Sequence, residues 1–170
     1  KVSTARAGNV IGGGDFAKDR IIPDCVRSIA TNSSVIIRNP DSIRPYQHVL
    51  EPLFAYLGIV ALQANDAYFS DYYNVGPSED DCVSTAMLVN LFEKFWQADS
   101  NKFKWKIQRD PLAVHEANFL KLDCSLIRNK LGWRPTWNIE KAVEKTCDFT
   151  SCYYKGSNLK AVMDTQIDEF

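Results

Sequence analysis

Short β-branched runs mark the first third of the chain, and apolar residues at three- and four-residue steps mark most of the rest. Val2 to Ile11 mixes small and β-branched residues, as a buried strand does. Gly12, Gly13 and Gly14 end that strand in a sharp turn able to bring backbone N–H groups to a ligand. Ile21-Ile22-Pro23 opens the next element, with proline tolerated in a first helical turn, and Asp24 to Ala30 reads as a short helix. Val35 to Arg38 is a strand closed by the turn Asn39-Pro40-Asp41-Ser42. Arg44 precedes a proline and is pushed out of the helical region, so residues 43–49 begin extended.

Glu51-Pro52 starts the longest apolar segment, Leu53 to Ala64. Phe54, Leu57, Val60, Ala61 and Ala64 share one face, and Tyr56, Ile59 and Leu62 widen it, which predicts a helix buried on most sides. Tyr68 to Val75 reads as a strand stopped by Gly76-Pro77. Ser84 or Thr85 caps a helix carrying Met87, Leu88, Leu91, Phe92, Phe95 and Trp96. Lys102 to Ile107 alternates apolar residues with lysines and predicts an edge strand. Asp123 caps a helix that stops at Gly132; Asn138 caps another with Ile139, Val143, Cys147 and Thr150 inward. From Asn158 onward, Leu159, Val162, Met163, Ile167 and Phe170 share one side, the pattern of a docking helix. Helices alternating with short strands give an α/β class with α+β character.

Twenty basic against twenty-one acidic residues leave a net charge of −1, no electrostatic footprint for nucleic acid or an anionic membrane. No apolar run approaches the ~20 residues that span a bilayer. Five cysteines with no Cys-x-x-Cys pair suit reduced thiols in a cytoplasmic protein better than a disulfide framework or a zinc site. The chain opens without a methionine or a signal peptide, and Val2 already reads as mid-strand, so a fragment or processed chain is expected.

Candidate chemistry centres on residues 6–24 and 38–48. Gly12-Gly13-Gly14-Asp15-Phe16-Ala17 formally fits a dinucleotide fingerprint, but charged residues follow it where an apolar helix is required. A turn lining a substrate is the better reading. The Arg44 fork suits a phosphate pair, or a surface ion pair with an acid such as Asp41; Arg20 and Arg38 carry the same ambiguity. Asn9 can bond hydroxyl or phosphate oxygens, or its own backbone in a turn. His48 reads as a satisfied, partly buried histidine, and His115-Glu116 as a loop pair that either meets a ligand or is solvated.

Several of these stretches together resemble the extended short-chain dehydrogenase/reductase family that modifies nucleotide sugars. The residues are Arg6 to Asp15, Asp19 to Asp24, Ile43 to Pro52, Tyr73 to Pro77, His115-Glu116, Leu122-Asp123 and Leu131 to Pro135, in order and over nearly the whole chain. The resemblance is nearest to the family's 4,6-dehydratases. It implies the C-terminal, substrate-binding portion of a Rossmann-type enzyme lacking most of its dinucleotide-binding domain, with residues 1–170 as substrate domain and 1–12 as a late strand of the missing part. It further implies an NAD-dependent lyase, a homo-oligomer when intact, acting on a nucleotide-diphosphate sugar such as CDP-glucose. Asn9, Arg44 and Tyr46 would hold the diphosphate. Arg20, Ile22 and Pro23 would flank the nucleotide, with Arg38 nearby and His115 and Glu116 closing the far side. The family's glycine-rich cofactor turn and its catalytic Tyr-x-x-x-Lys are absent from these residues, since no tyrosine here has lysine four positions on. The resemblance therefore implies a piece without catalytic residues, NAD being bound mainly elsewhere. The alternatives are a non-catalytic nucleotide-sugar-binding module, or an epimerase or reductase relative.

Overall fold

The computed structural model describes residues 1–96, 103–109 and 119–170. The expected first strand is in fact two. β1 (Thr4–Ala7) pairs in parallel with β6 (Tyr72–Val75), and β2 (Asn9–Ile11) pairs in parallel with β5 (Tyr46–His48). Gly8 is the crossing point between the two ladders. Its N–H donates to the Val75 carbonyl (3.0 Å), and the next N–H, of Asn9, donates to the Pro45 carbonyl (2.9 Å). Hydrophobic patterning cannot see such a switch, because both halves look equally strand-like. β3 (Val35–Ile37) pairs in parallel with β8 (Trp105–Ile107), and β4 (Ile43–Arg44) runs antiparallel to β7 (Val83–Ser84).

Among the described residues six α-helices surround these ladders. Three start at a capping side chain, whereas α1 (Ile21–Ala30), α2 (Leu50–Asn65) and α4 (Ser125–Leu131) have none, and in α4 Cys124, not the expected Asp123, takes the cap position. In α3 (Thr85–Phe95) the Ser84 hydroxyl accepts from the Met87 N–H at 3.2 Å. Asn138 caps α5 (Ile139–Tyr154) and Asn158 caps α6 (Leu159–Glu169) in the same way. α4 (Ser125–Leu131) ends at Gly132, whose φ of 69° closes it in the left-handed conformation. α1 (Ile21–Ala30) begins three residues before the expected Asp24, so that Pro23 occupies the first turn, where no N–H is needed.

Two apolar clusters hold the chain together. The larger joins α1, α3 and α5 over β2 and β3 through Cys25, Val26, Leu88, Phe92, Val143, Cys147 and Ile37. Phe92 lies at its centre, stacked on Trp96 (5.5 Å) and edge-on to Phe103 (5.1 Å). The smaller joins α2 (Leu50–Asn65) to β6 and α4 through Ala55, Ile59, Tyr73, Ile127 and Trp133. α2 is therefore not buried on most sides. Its inner face is the Glu51, Pro52, Ala55, Ile59 row, while Phe54, Leu57 and Val60 are 57%, 70% and 58% exposed. A helix apolar all round does not reveal by periodicity which side meets the core. α6 differs in the same sense: it docks on α5 by polar groups, the Gln166 amide donating to the Lys145 carbonyl (2.9 Å) and Lys145 pairing with Glu169, and leaves Met163 and Ile167 exposed.

Two buried polar groups anchor the region around β5. The Glu51 carboxylate, fully buried in the first turn of α2, accepts the Trp137 N–H at 2.7 Å and the Thr136 N–H at 3.0 and 3.2 Å. His48 is 2% exposed against Trp137 (4.9 Å between rings), and its Nδ1 accepts the Leu50 N–H at 3.3 Å. Burial, with Lys145 nearby, pushes its pKa down from 6.5 to about 4, so the ring is neutral.

Glu51→Ala removes the partner of the buried Trp137 N–H and should lower the unfolding free energy by roughly 2–4 kcal/mol in denaturant titration. His48 gives a pH signature. The unfolded imidazole takes its proton near pH 6.5 and the folded one only near 4, so stability is full above 6.5 and falls as pH drops through that window, by roughly 3 kcal/mol. Glu51, whose carboxyl burial raises, acts with the opposite sign in the carboxylate range. The difference between wild type and His48→Asn across pH 4–7 isolates the histidine, and an identical slope in both proteins would refute the assignment.

Candidate functional site

The crossing at Gly8 places the start of β2 beside the end of β4. An ideal Cβ on Gly8 would stand 2.6 Å from the Pro45 carbonyl oxygen, so only glycine lets the two backbones approach closely enough for the Asn9 to Pro45 hydrogen bond. Asn9 then lies in register with Tyr46, two residues from Arg44. The neighbouring ladder of β4 with β7 sets Arg44 opposite Val83. Gln47 locks the junction from beneath: its amide, 2% exposed, donates to the Val75 carbonyl at 2.9 Å, the same oxygen that receives the Gly8 N–H.

This junction is the floor of a cavity of about 920 Å³. Asn9, Arg20, Ile22, Pro23, Arg38, Arg44 and Tyr46, seven of the nine residues singled out from sequence, line it together. Ile22, Pro23 and Tyr46 are buried and form its wall, whereas Asn9, Arg20 and Arg38 are exposed to it. His115 and Glu116 lie outside the described residues. Among the described residues, five cationic side chains, Arg6, Arg20, Arg38, Arg44 and Lys121, line it with three carboxylates, Asp15, Asp19 and Asp24, an excess of positive charge. Arg20 is partly neutralised by Asp15 at 3.2 Å. The N-terminus of α1 also lies here: Arg20 stands at its cap position with no side chain closing the turn, and Ile21 and Ile22 line the cavity. A helix start without a side-chain cap, several cations and an amide side chain on one cavity are chemically suited to receive a polyanion.

Two lining cations escaped the sequence reading. Arg6 sits on β1 with its Nε donating to Asn74 Oδ1 (3.1 Å), and Lys121 reaches the rim beside Leu122, paired with Glu79 at 3.4 Å. Both fall inside or next to stretches that carry the family resemblance, which was the available signal. His48 is absent from the lining and, held neutral inside the fold, serves structure.

Of the glycine turn expected to line the site, Gly12 lines the cavity, and the turn also accommodates the protein's own side chains. A Cβ on Gly13 would stand 1.9 Å from the Phe149 ring of α5, and one on Gly12 2.9 Å from Val49. These glycines admit the protein's own side chains, and only Gly12 reaches the cavity wall. α1 begins well beyond them, at Ile21. The turn thus does not fit the pyrophosphate of a dinucleotide, which needs an open glycine backbone running straight into a helix.

No protein-family model matches the chain. It is 39% identical over 170 residues to CDP-glucose 4,6-dehydratase of Salmonella typhimurium (strain LT2), a match that takes in 99% of this chain and 46% of that relative. The chain thus spans about half the length of the curated relative it matches. Among solved structures it resembles UDP-glucose-4-epimerase from Stenotrophomonas maltophila with bound NAD and formylated UDP-arabinopyranose. The TM-score is 0.71 and the identity 16%, over 91% of this chain and 49% of that one. It equally resembles UDP-glucuronic acid 4-epimerase from Bacillus cereus in complex with UDP-glucuronic acid and NAD, with a TM-score of 0.71 and 15% identity over 89% and 46%. These likenesses bear out the resemblance to the extended short-chain dehydrogenase/reductase enzymes, and the fold is that of the C-terminal portion of such Rossmann-type proteins.

Gly8→Ala should cost about 1–3 kcal/mol of stability, since the backbones at Pro45 must part. Gly58→Ala in the middle of α2, where nothing lies within 4 Å of the new methyl, should instead add about 0.5–1 kcal/mol. Thermal melts of the two variants check the pair, and equal shifts would contradict the close-approach argument.

Proposed function

We propose that the cavity binds the diphosphate and nucleotide of a nucleotide-diphosphate sugar, CDP-glucose foremost. The chain is then the substrate-gripping part of an NAD-dependent 4,6-dehydratase, a lyase that converts CDP-glucose to CDP-4-keto-6-deoxyglucose and water. The observation that carries this reading is the convergence of Asn9, Arg20, Arg38 and Arg44 with the open start of α1 on one cavity. Its volume, about 920 Å³, suits a ligand of nucleotide-sugar size. The 39% identity to CDP-glucose 4,6-dehydratase supports the choice of base and sugar.

In this assignment Arg44 offers its guanidinium to the diphosphate from the β4 edge, and the Asn9 amide bonds a neighbouring oxygen from the β2 side. The N–H groups at the start of α1 supply further donors without a counter-charge of their own. Tyr46 lines the same diphosphate pocket, and Arg38 lies near the nucleotide end. Arg20, with Ile22 and Pro23, flanks the nucleotide, its charge shared with Asp15 of the same cavity. NAD has no cradle among the described residues, for the glycine turn is filled by Phe149 and Val49. We assign the cofactor to the part of the relative that this chain does not span, and these residues bind and orient substrate without performing its redox chemistry. We assign the protein to the cytoplasm, a reading supported by five cysteines without a pairing motif.

Isothermal titration with CDP-glucose tests the assignment. Arg44→Ala should weaken binding by about 1.5–3 kcal/mol, roughly 10- to 100-fold. Cytidine, lacking the diphosphate, should bind far more weakly than CDP. Affinity untouched by Arg44→Ala would rule out the diphosphate clamp.

A further inference from the structure

Arg27 stands in the last turn of α1 and does not line the cavity. Its Nη1 donates to the Phe16 carbonyl (3.0 Å) and its Nη2 to the Ala17 carbonyl (3.1 Å). Nη2 also pairs with the Asp24 carboxylate, one turn back on the same helix. The planar fork of a guanidinium reaches two neighbouring carbonyls at once, which a single ammonium does not. Those carbonyls belong to the segment 12–20 that joins β2 to α1, and this segment supplies Asp15, Asp19 and Arg20 to the cavity.

Packing holds the segment weakly. None of residues 12–20 is buried, and Phe16, whose ring lies 5.3 Å from that of Tyr153, is 55% exposed. Backbone with few buried apolar contacts opens at low free-energy cost. Its internal geometry is nonetheless defined. Asp15 accepts the Ala17 N–H (3.0 Å) and the Arg20 guanidinium (3.2 Å). Asp19 adopts a left-handed φ of 60°, which a residue with a side chain keeps when its surroundings impose it. Phe16 and Ala17 lie between the two acids, so a grip on their carbonyls fixes Asp15 and, through it, Arg20. We propose that Arg27 is a positioning residue: it sets the wall formed by residues 15–20 in the shape that receives the nucleotide, without touching the ligand. For the identity of that ligand this rests on the function proposed above. The competing account is that Arg27 only neutralises Asp24, a carboxylate of the same cavity. Arg27→Lys separates the two, because it keeps the charge and loses the fork.

The test titrates CDP-glucose into the 170-residue chain by calorimetry, beside hydrogen-exchange mass spectrometry of the free protein. Arg27→Ala should weaken binding about tenfold, since the ligand must then order the segment itself. Arg27→Lys should weaken it several-fold. In both variants amide exchange across residues 13–20 should quicken about tenfold, while the buried turn from Leu88 to Phe92 keeps its protection. Wild-type affinity in Arg27→Lys would overturn the positioning role in favour of neutralisation. Exchange at residues 13–20 unmoved by either variant would overturn it too, and protection lost at Leu88 to Phe92 in both would reduce Arg27 to a general support of the fold. CDP-glucose ignored by wild type, with exchange still responding to Arg27→Ala, would sink the ligand and leave the grip on the segment standing. Equal binding by all three proteins would sink the positioning role alone.

Discussion

The contact on which the site depends is the approach of residues 8 and 9 to Pro45. Two ladders that share no strand meet there, because one segment pairs with β6 up to Ala7 and with β5 from Asn9 onward. The Val75 carbonyl receives both the Gly8 N–H and the buried Gln47 amide, and the Pro45 carbonyl receives the Asn9 N–H. Each bond is ordinary in strength, worth about 1 kcal/mol net. Their value is geometric: together they fix Asn9 and Arg44, thirty-five positions apart in the chain, on one floor. A side chain at position 8 would separate them, since the carbonyl it meets belongs to backbone and cannot swing aside as a flexible side chain would.

The rest of the fold can be understood as bracing for that junction. From behind, α5 packs its Val143 and Cys147 side into the larger core while Phe149 fills the space left by Gly13, so the turn after β2 rests on a helix more than a hundred residues later. Glu51 ties the start of α2, directly after β5, to the turn that launches α5. A carboxylate at a helix start gains from the local dipole, and here it also satisfies two backbone donors. Neutral His48 completes the brace by packing its ring on Trp137, which in turn meets Phe170 at 5.1 Å. The C-terminal residue therefore bears, through two rings, on the strand that carries Tyr46.

What the sequence disclosed was mainly local chemistry. Ser84 and Asn138 announced helix starts because a capping side chain acts within three residues of itself. The Arg44-Pro45 step announced an extended arginine because the proline ring restricts its neighbour directly. Seven candidate site residues proved to share a cavity, a grouping that spacing alone left open and that the family resemblance brought forward. What stayed hidden was relational. The split of the first strand, the partner of Gly13 and the inner face of α2 each depend on an element far along the chain. Apolar periodicity marks a face without naming what covers it, and α2 and α6 show this twice: α2 faces the core with Ala55, Ile59 and the Glu51 carboxylate, and α6 rests on Gln166 while Met163 and Ile167 stay in solvent.

These observations bear on how the grip on a ligand is set. The larger cluster packs Phe92, Leu88, Val143 and Cys25 at 0% exposure, whereas the smaller one backs the β1–β6 ladder on one face and leaves the other bare. The cavity lies across the seam, with Asn9, Arg20, Arg38 and the start of α1 on the well-packed side and Arg6 and Leu122 on the side of the ladder. Local stability follows buried apolar contact, so the two halves of the cavity rest on supports of unequal stiffness. A diphosphate held by cations from both halves gains affinity only to the extent that both are fixed beforehand, since ordering them at the moment of binding subtracts from the gain.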